Sequence, residues 1–212
     1  EVVAGYVGCK HGIAVVNGTS ALHLSLLACE VRCGDEVIVP ALTFVATANV
    51  VKYCGAPPVF IDCDYDALCL DVEKLKLFLE TECIQKNDGY TYNRTSNRRI
   101  KAIMPVHIFG HPVDMDVLLD LCQLYNIDII EDATESLGSE YKGKKTGSFG
   151  KLGCLSFNGN KIITAGGGGI VVTNNEDLAE KIRHLSTQAK SDSVEYDHNE
   201  IGYNYRLTNT QA

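Results

Sequence analysis

The chain contains no run of about 18 uninterrupted apolar residues, so no segment reads as a membrane-spanning helix. Its opening stretch, Glu1 to Lys10, lacks the basic start and apolar centre of a secretory signal. Positive charge is scarce: 19 Lys and Arg face 27 Asp and Glu, a net −8, with basic clusters only at Arg94 to Lys101 and Lys142 to Lys145. That balance argues against a nucleic-acid partner. No C-x-x-C pair occurs among the nine cysteines, an odd number, and several lie in apolar stretches such as Leu118 to Cys122. They read as free thiols of a cytoplasmic protein, with zinc binding as the sharper alternative. There is no internal repeat, and neither G-x-G-x-x-G nor G-x-x-x-x-G-K-S/T occurs, which disfavours dinucleotide and Walker-type sites.

What is present suits one folded domain. The 212 residues are 45% apolar and 22% charged, close to the average for globular domains. Short apolar runs are expected as strands at Gly12 to Val16, Glu36 to Val39, Pro58 to Asp62, Ile100 to Pro105, Asp128 to Glu131, Leu152 to Phe157 and Gly169 to Thr173. Helical spacing fills the gaps at Ala21 to Val31, Phe44 to Tyr53, Val72 to Glu82, Asp116 to Tyr125 and Asp177 to Leu185. Lys86 to Arg99 is polar and aperiodic and reads as a surface excursion. The alternation implies an α/β fold: three layers, a mainly parallel sheet with helices on both faces. Such sheets bind ligands beyond the carboxyl ends of their strands. Thr208 to Ala212 looks like the opening of a helix, and with no initial Met the chain reads as a fragment.

Three segments fall at those strand ends. Asn17-Gly-Thr-Ser20 turns a strand into a helix, offering free amides, two hydroxyls and a positive helix end, either as a phosphate site or as an ordinary cap. Ile129-Ile-Glu-Asp132 ends a strand on two carboxylates, which could hold Mg²⁺, act as acid and base, face a protonated ring nitrogen or merely cap a turn. Lys161 lies on a loop between two buried strands beside the glycines Gly166 to Gly169, placed either as a nucleophilic amine or as a surface lysine. Together, a phosphate cradle, a carboxylate and an amine are what pyridoxal 5′-phosphate requires, and Phe44 could lie on its ring. No metal site is expected, and His107 and His111 read as structural.

These segments closely resemble the nucleotide-sugar aminotransferases of the DegT/DnrJ/StrS type, fold type I of the pyridoxal-phosphate enzymes. The matching stretches are Asn17 to His23, Thr43 to Asn49, Pro105 to Pro112, Glu131 to Gly138, Ser156 to Lys161 and Gly202 to Arg206. The resemblance implies that Lys161 forms a Schiff base with the cofactor and that Asp132 partners its ring nitrogen. By the same resemblance Thr19, Ser20 and Ser156 bind its phosphate, Phe44 stacks on its ring, and Glu135 stands near its ring hydroxyl where the family often has Gln. Asn204 and Arg206 match a stretch that reaches into the neighbouring subunit, implying a homodimer with shared active sites. Residues 1–212 would be the cofactor-binding large domain, without the N-terminal start and the C-terminal small domain.

The implied reaction moves an amino group from glutamate to a keto-sugar nucleotide for surface-glycan and polysaccharide biosynthesis. Within the family, Ser156 to Lys161 with Gly166 to Gly169 looks most like the enzymes that aminate UDP-4-keto-6-deoxy-N-acetylglucosamine on the bacillosamine and legionaminic acid routes. Perosamine synthases, which use GDP-linked sugars, carry similar loops. A non-catalytic sensor that keeps the fold is the alternative from another class.

Overall fold

The computed structural model describes residues 1–192 and 194–212. A short helix α1 (Val2–Val7) precedes β1 (His11–Val15), α2 (Gly18–Ala28), β2 (Asp35–Pro40), α3 (Val45–Tyr53), β3 (Pro58–Ile61) and α4 (Val72–Glu82). Then come β4 (Cys83–Gln85), β5 (Thr91–Asn93), β6 (Arg99–Ile103), α5 (Met115–Tyr125), β7 (Asp128–Asp132), β8 (Glu140–Tyr141) and β9 (Lys144–Lys145). The chain continues with β10 (Leu152–Ser156), β11 (Gly169–Thr173) and α6 (Glu176–Ser186).

The main sheet runs β1-β11-β10-β7-β6-β2-β3. Pairs β10/β7, β7/β6, β6/β2 and β2/β3 are parallel, whereas β11 is antiparallel to both β1 and β10. Every strand on this path except β11 therefore points the same way, and their carboxyl ends share one edge.

Alternation along the strands builds two cores. Val37, Val39, Ala102 and Ile130 join the core under α2 and α6, while Ile38, Ile103 and Ile129 join the core under α4 and α5. Successive strand side chains point to opposite faces, so each interior strand must be apolar on both sides. Helix α2 buries nine of its eleven residues, as befits a helix that is apolar all round and sits directly on the sheet.

Four features differ from the sequence expectations. Lys86 to Arg99 is not wholly irregular: β5 lies inside it, paired with β4 and β6. Backbone pairing needs no side-chain periodicity, and buried Thr91 anchors the ribbon by donating to the Tyr125 carbonyl. Helix α1 buries only Ala4 and Val7, too few to show a period. The β8–β9 ribbon has two residues per strand, also too short for one. At the other end, Thr208 to Ala212 makes a single turn closed on the Thr208 carbonyl.

All nine cysteines are free thiols, and burial pushes Cys29, Cys54, Cys83 and Cys122 up to about 12. His23 on α2 is 3% exposed, set edge-on to the rings of Tyr53, Tyr203 and Tyr205. Its Nδ1 lies 3.4 Å from the Tyr205 hydroxyl, and its Nε2 has no partner among the described residues. Burial lowers the His23 pKa, so the unfolded chain binds a proton more readily than the folded one. Its contribution to stability is fully present above about pH 6.5, the unfolded value, and is lost as pH falls from there toward the lowered folded pKa. Thermal melts from pH 7.5 to 5 are expected to show a falling midpoint, with a shallower slope in His23→Phe; an unchanged slope would refute this.

Candidate active site

A cavity of about 300 Å³ opens at the carboxyl edge, between the ends of β1, β7 and β10, at the small end of the range for ligand pockets. Its floor begins at the β1–α2 turn. Asn17, in an extended conformation, caps α2 by accepting the Ser20 amide at 2.8 Å. The first amides of a helix have no partner within it, so Gly18 and Thr19 present theirs at the positive helix end. Gly18 is required for closeness: a Cβ there would meet Ser156 Cβ at 3.0 Å, Ser156 Oγ at 3.2 Å and Thr134 Cγ2 at 3.2 Å. Across the turn a Cβ at Gly169 would meet the Asn17 carbonyl oxygen at 2.6 Å, so β11 can approach the turn only as glycine. Thr19 and Ser156 line the cavity, whereas Ser20, 5% exposed on α2, is not part of its lining.

Asp132 ends β7 with 3% exposure. Its Oδ2 accepts the Thr47 hydroxyl at 2.7 Å, and its Oδ1 accepts the Thr134 amide at 3.2 Å. Thr47 is wholly buried and bonded to the Thr43 hydroxyl at 2.9 Å. Sequence reasoning did not single out Thr47. The signal was its place one turn after Thr43 on a helix entering the same edge. Phe44, at the start of α3, lines the same cavity and is 70% exposed.

Lys161 lies on the loop between β10 and β11. Its amide donates to the Asn158 carbonyl, and Gly166 and Gly168 turn the loop with φ of 77° and 102°. The Lys161 side chain is 16% exposed, with Nζ 3.3 Å from Glu135 Oε1. The other Glu135 oxygen accepts the Phe109 amide at 3.1 Å. Glu135 thus ties the lysine to the segment after β6, a link that sequence reasoning did not foresee.

The acidic pair expected at the end of β7 is divided between two jobs. Glu131 is fully buried and accepts the amides of Phe149 (2.6 Å), Gly150 (2.7 Å) and Gly147 (2.7 Å). His107 Nδ1 accepts the Val113 amide, so its ring proton sits on Nε2 and is donated to Glu131 at 3.0 Å. With both oxygens occupied, Glu131 has no lone pair to share with a metal beside Asp132, and His107 is a structural residue.

Of the expected residues, Thr19, Phe44, Asp132, Glu135, Ser156 and Lys161 meet on one cavity. Asn204 does not: it is exposed and pairs with Thr187, while its neighbours Tyr203 and Tyr205 pack on His23.

Comparison with known proteins adds three findings. The sequence profile of the DegT/DnrJ/EryC1/StrS aminotransferase family matches residues 1–212. Over all 212 residues the chain is 46% identical to a GDP-perosamine synthase of Caulobacter vibrioides, and 45% identical to a putative pyridoxal phosphate-dependent aminotransferase, EpsN, of Bacillus subtilis. It covers 53% and 52% of those proteins, so it spans about half the length of the curated relatives it matches. Among solved structures, a DegT DnrJ EryC1 StrS aminotransferase from Brucella abortus superposes with a TM-score of 0.87 at 34% identity, over 99% of this chain and 54% of that one.

Proposed function

This chain belongs to the DegT/DnrJ/EryC1/StrS aminotransferase family, and from that premise we propose that it transfers an amino group from glutamate to a keto-sugar nucleotide with pyridoxal 5′-phosphate. The observation that carries the reading is the convergence of the α2 N-terminus, Asp132 and Lys161 on one cavity. These residues fit the cofactor. The Gly18 and Thr19 amides with the Thr19 and Ser156 hydroxyls suit a phosphate, and the narrow approach at Gly18 keeps them together. Asp132, steadied by Thr47 and Thr134, suits a proton-bearing ring nitrogen. Phe44 gives the ring an aromatic face, and Lys161 offers the one amine on the cavity wall among the described residues.

Bound pyridoxal phosphate supplies an electron sink that makes the hydrogen on an amine-bearing carbon acidic. The chain's own residues do the rest. Asp132 holds the proton on the ring nitrogen, Lys161 Nζ takes and returns protons at the reacting carbons, and Glu135 holds Lys161 over the cavity. Thr47 orients Asp132 and shields it from water.

The acceptor has two branches. The loop resemblance supports UDP-4-keto-6-deoxy-N-acetylglucosamine, and the 46% identity to a GDP-perosamine synthase supports a GDP-linked sugar, the branch we favour. Residues 1–212 are read as the cofactor-binding large domain of a cytoplasmic homodimer, with exposed Asn204 turned toward the second copy. No helix among the described residues is long and apolar enough to cross a membrane.

The test is incubation with pyridoxal phosphate, borohydride reduction and peptide mapping, followed by glutamate and each sugar nucleotide. A label on Lys161 and glutamate-dependent amination are expected. A label elsewhere overturns the lysine assignment, and labelling without amination favours the sensor alternative. Asp132→Asn should keep the label but lower kcat about a hundredfold, because a neutral amide no longer holds the ring nitrogen protonated. Turnover close to that of the parent chain would remove Asp132 from this role.

A further inference from the structure

We propose that Phe109 forms the specificity-determining wall of a sugar subsite beside Lys161, with the acceptor's pyranose ring lying on its aromatic face. The inference rests on the aminotransferase reading above and names where that site takes its second substrate.

Phe109 is 68% exposed and has φ 53° and ψ 19°, the left-handed region that a bulky side chain avoids. Other non-glycine residues have positive φ, but among the described residues Phe109 alone of them borders a cavity that Lys161 also lines. Its conformation is enforced from both sides. Its amide donates to Glu135 Oε2, and Gly110, at φ 85°, lets the chain pass within contact of Ser139, whose Oγ a Cβ would meet at 3.3 Å. Residues held in costly backbone conformations cluster at active sites and ligand clamps, and this one presents an aromatic ring on a cavity that Lys161 also lines.

The ring faces a built space. A second cavity of about 490 Å³ is lined by Phe109, Glu135, Ser139, Asn160, Lys161 and Ile162, and it shares Glu135, Asn160 and Lys161 with the cofactor cavity. Its chemistry is mixed. Phe109 and Ile162, 60% exposed, offer apolar surface for the C–H face of a sugar. Asn160 Oδ1 accepts the Asn158 side-chain Nδ2 at 3.0 Å, while Asn160 Nδ2 donates to no group among the described residues. The Ser139 hydroxyl makes no hydrogen bond within the described residues and suits a sugar hydroxyl. Few polar groups beside an aromatic face is how a pocket orients a pyranose ring. Lys161 borders both spaces, so a sugar ring on Phe109 would share its cavity with the lysine that serves the cofactor.

The experiment uses the chain loaded with pyridoxal phosphate, run backwards. GDP-perosamine and UDP-4-amino-4,6-dideoxy-N-acetylglucosamine serve in turn as amine source, with 2-oxoglutarate as acceptor. Phe109→Ala keeps the Cβ and the backbone strain and removes only the ring. It should lower kcat/KM for the amino-sugar roughly tenfold or more, mainly through KM, while KM for 2-oxoglutarate stays within about twofold. Phe109→Tyr should restore the sugar KM, and the melting midpoint of both variants should stay within roughly 2 °C, as for an exposed side chain. An unchanged sugar KM, or equal losses for both substrates, overturns the subsite. So does a loss that tracks dissociation of a dimer in sedimentation, which would make Phe109 a contact between copies. If the parent chain labels on Lys161 and accepts the glutamate amine but neither amino-sugar, the subsite fails alone. Without a Lys161 label the functional reading fails with it.

Discussion

Lys161→Ala is expected to fold as the parent chain does and, on the proposed reading, to lose amino transfer by about ten-thousandfold or more, since there one residue supplies both the amine and the proton transfer. The structure separates these effects cleanly. The Lys161–Glu135 pair is partly exposed, at 16% and 31%, so breaking it should cost no more than about 1 kcal/mol. The melting midpoint should therefore barely move while turnover disappears. Lys161→Arg sharpens the test: it keeps the charge beside Glu135 but offers no amine for covalent chemistry. Both variants should be inactive and should lose the borohydride-fixed label. A variant retaining a tenth of the parent rate would sink the assignment.

Glu131→Ala should have the opposite signature, a large loss of stability with no specific defect in chemistry. The fully buried carboxylate accepts the amides of Gly147, Phe149 and Gly150 and the Nε2 proton of His107. Truncation leaves four donors without a partner away from water, at a cost of about 3–5 kcal/mol. For a domain of this size that is a fall of roughly 10 °C in the melting midpoint, measurable by circular dichroism. Glu131→Gln should recover little, because its amide nitrogen would face amides that also donate. A fall under about 2 °C would mean that the loop at 147–150 holds itself. The contrast with Asp132→Asn tests the division of labour between adjacent carboxylates.

Much of this was legible in the residues. Val72 to Glu82 and Gly169 to Thr173 are bounded as the structure has them, the first by a helical period behind the Asp71 cap and the second as a short apolar run after the glycine turn. The ribbon β4–β5 was not, since its pairing lies in the backbone and in one buried threonine. At the site, Lys161, Asp132, Thr19 and Ser156 could be named from strand-end position and family resemblance, and they share a cavity. Ser20 could not be told from Thr19, because which of two adjacent residues lines the cavity depends on how the Asn17 cap sets the first turn of α2.

By itself, then, the sequence determined the strand and helix alternation, the parallel sheet and the chemical parts of the site, because local periodicity and strand-end position are properties of neighbours in the chain. Only the tertiary structure decided that Glu131 and Asp132 face different partners, that Thr47 holds Asp132, and that Glu135 joins Lys161 to a strained Phe109. Those contacts link residues 24, 85 and 26 positions apart, and no local pattern encodes a hydrogen bond between segments that meet only when the sheet closes.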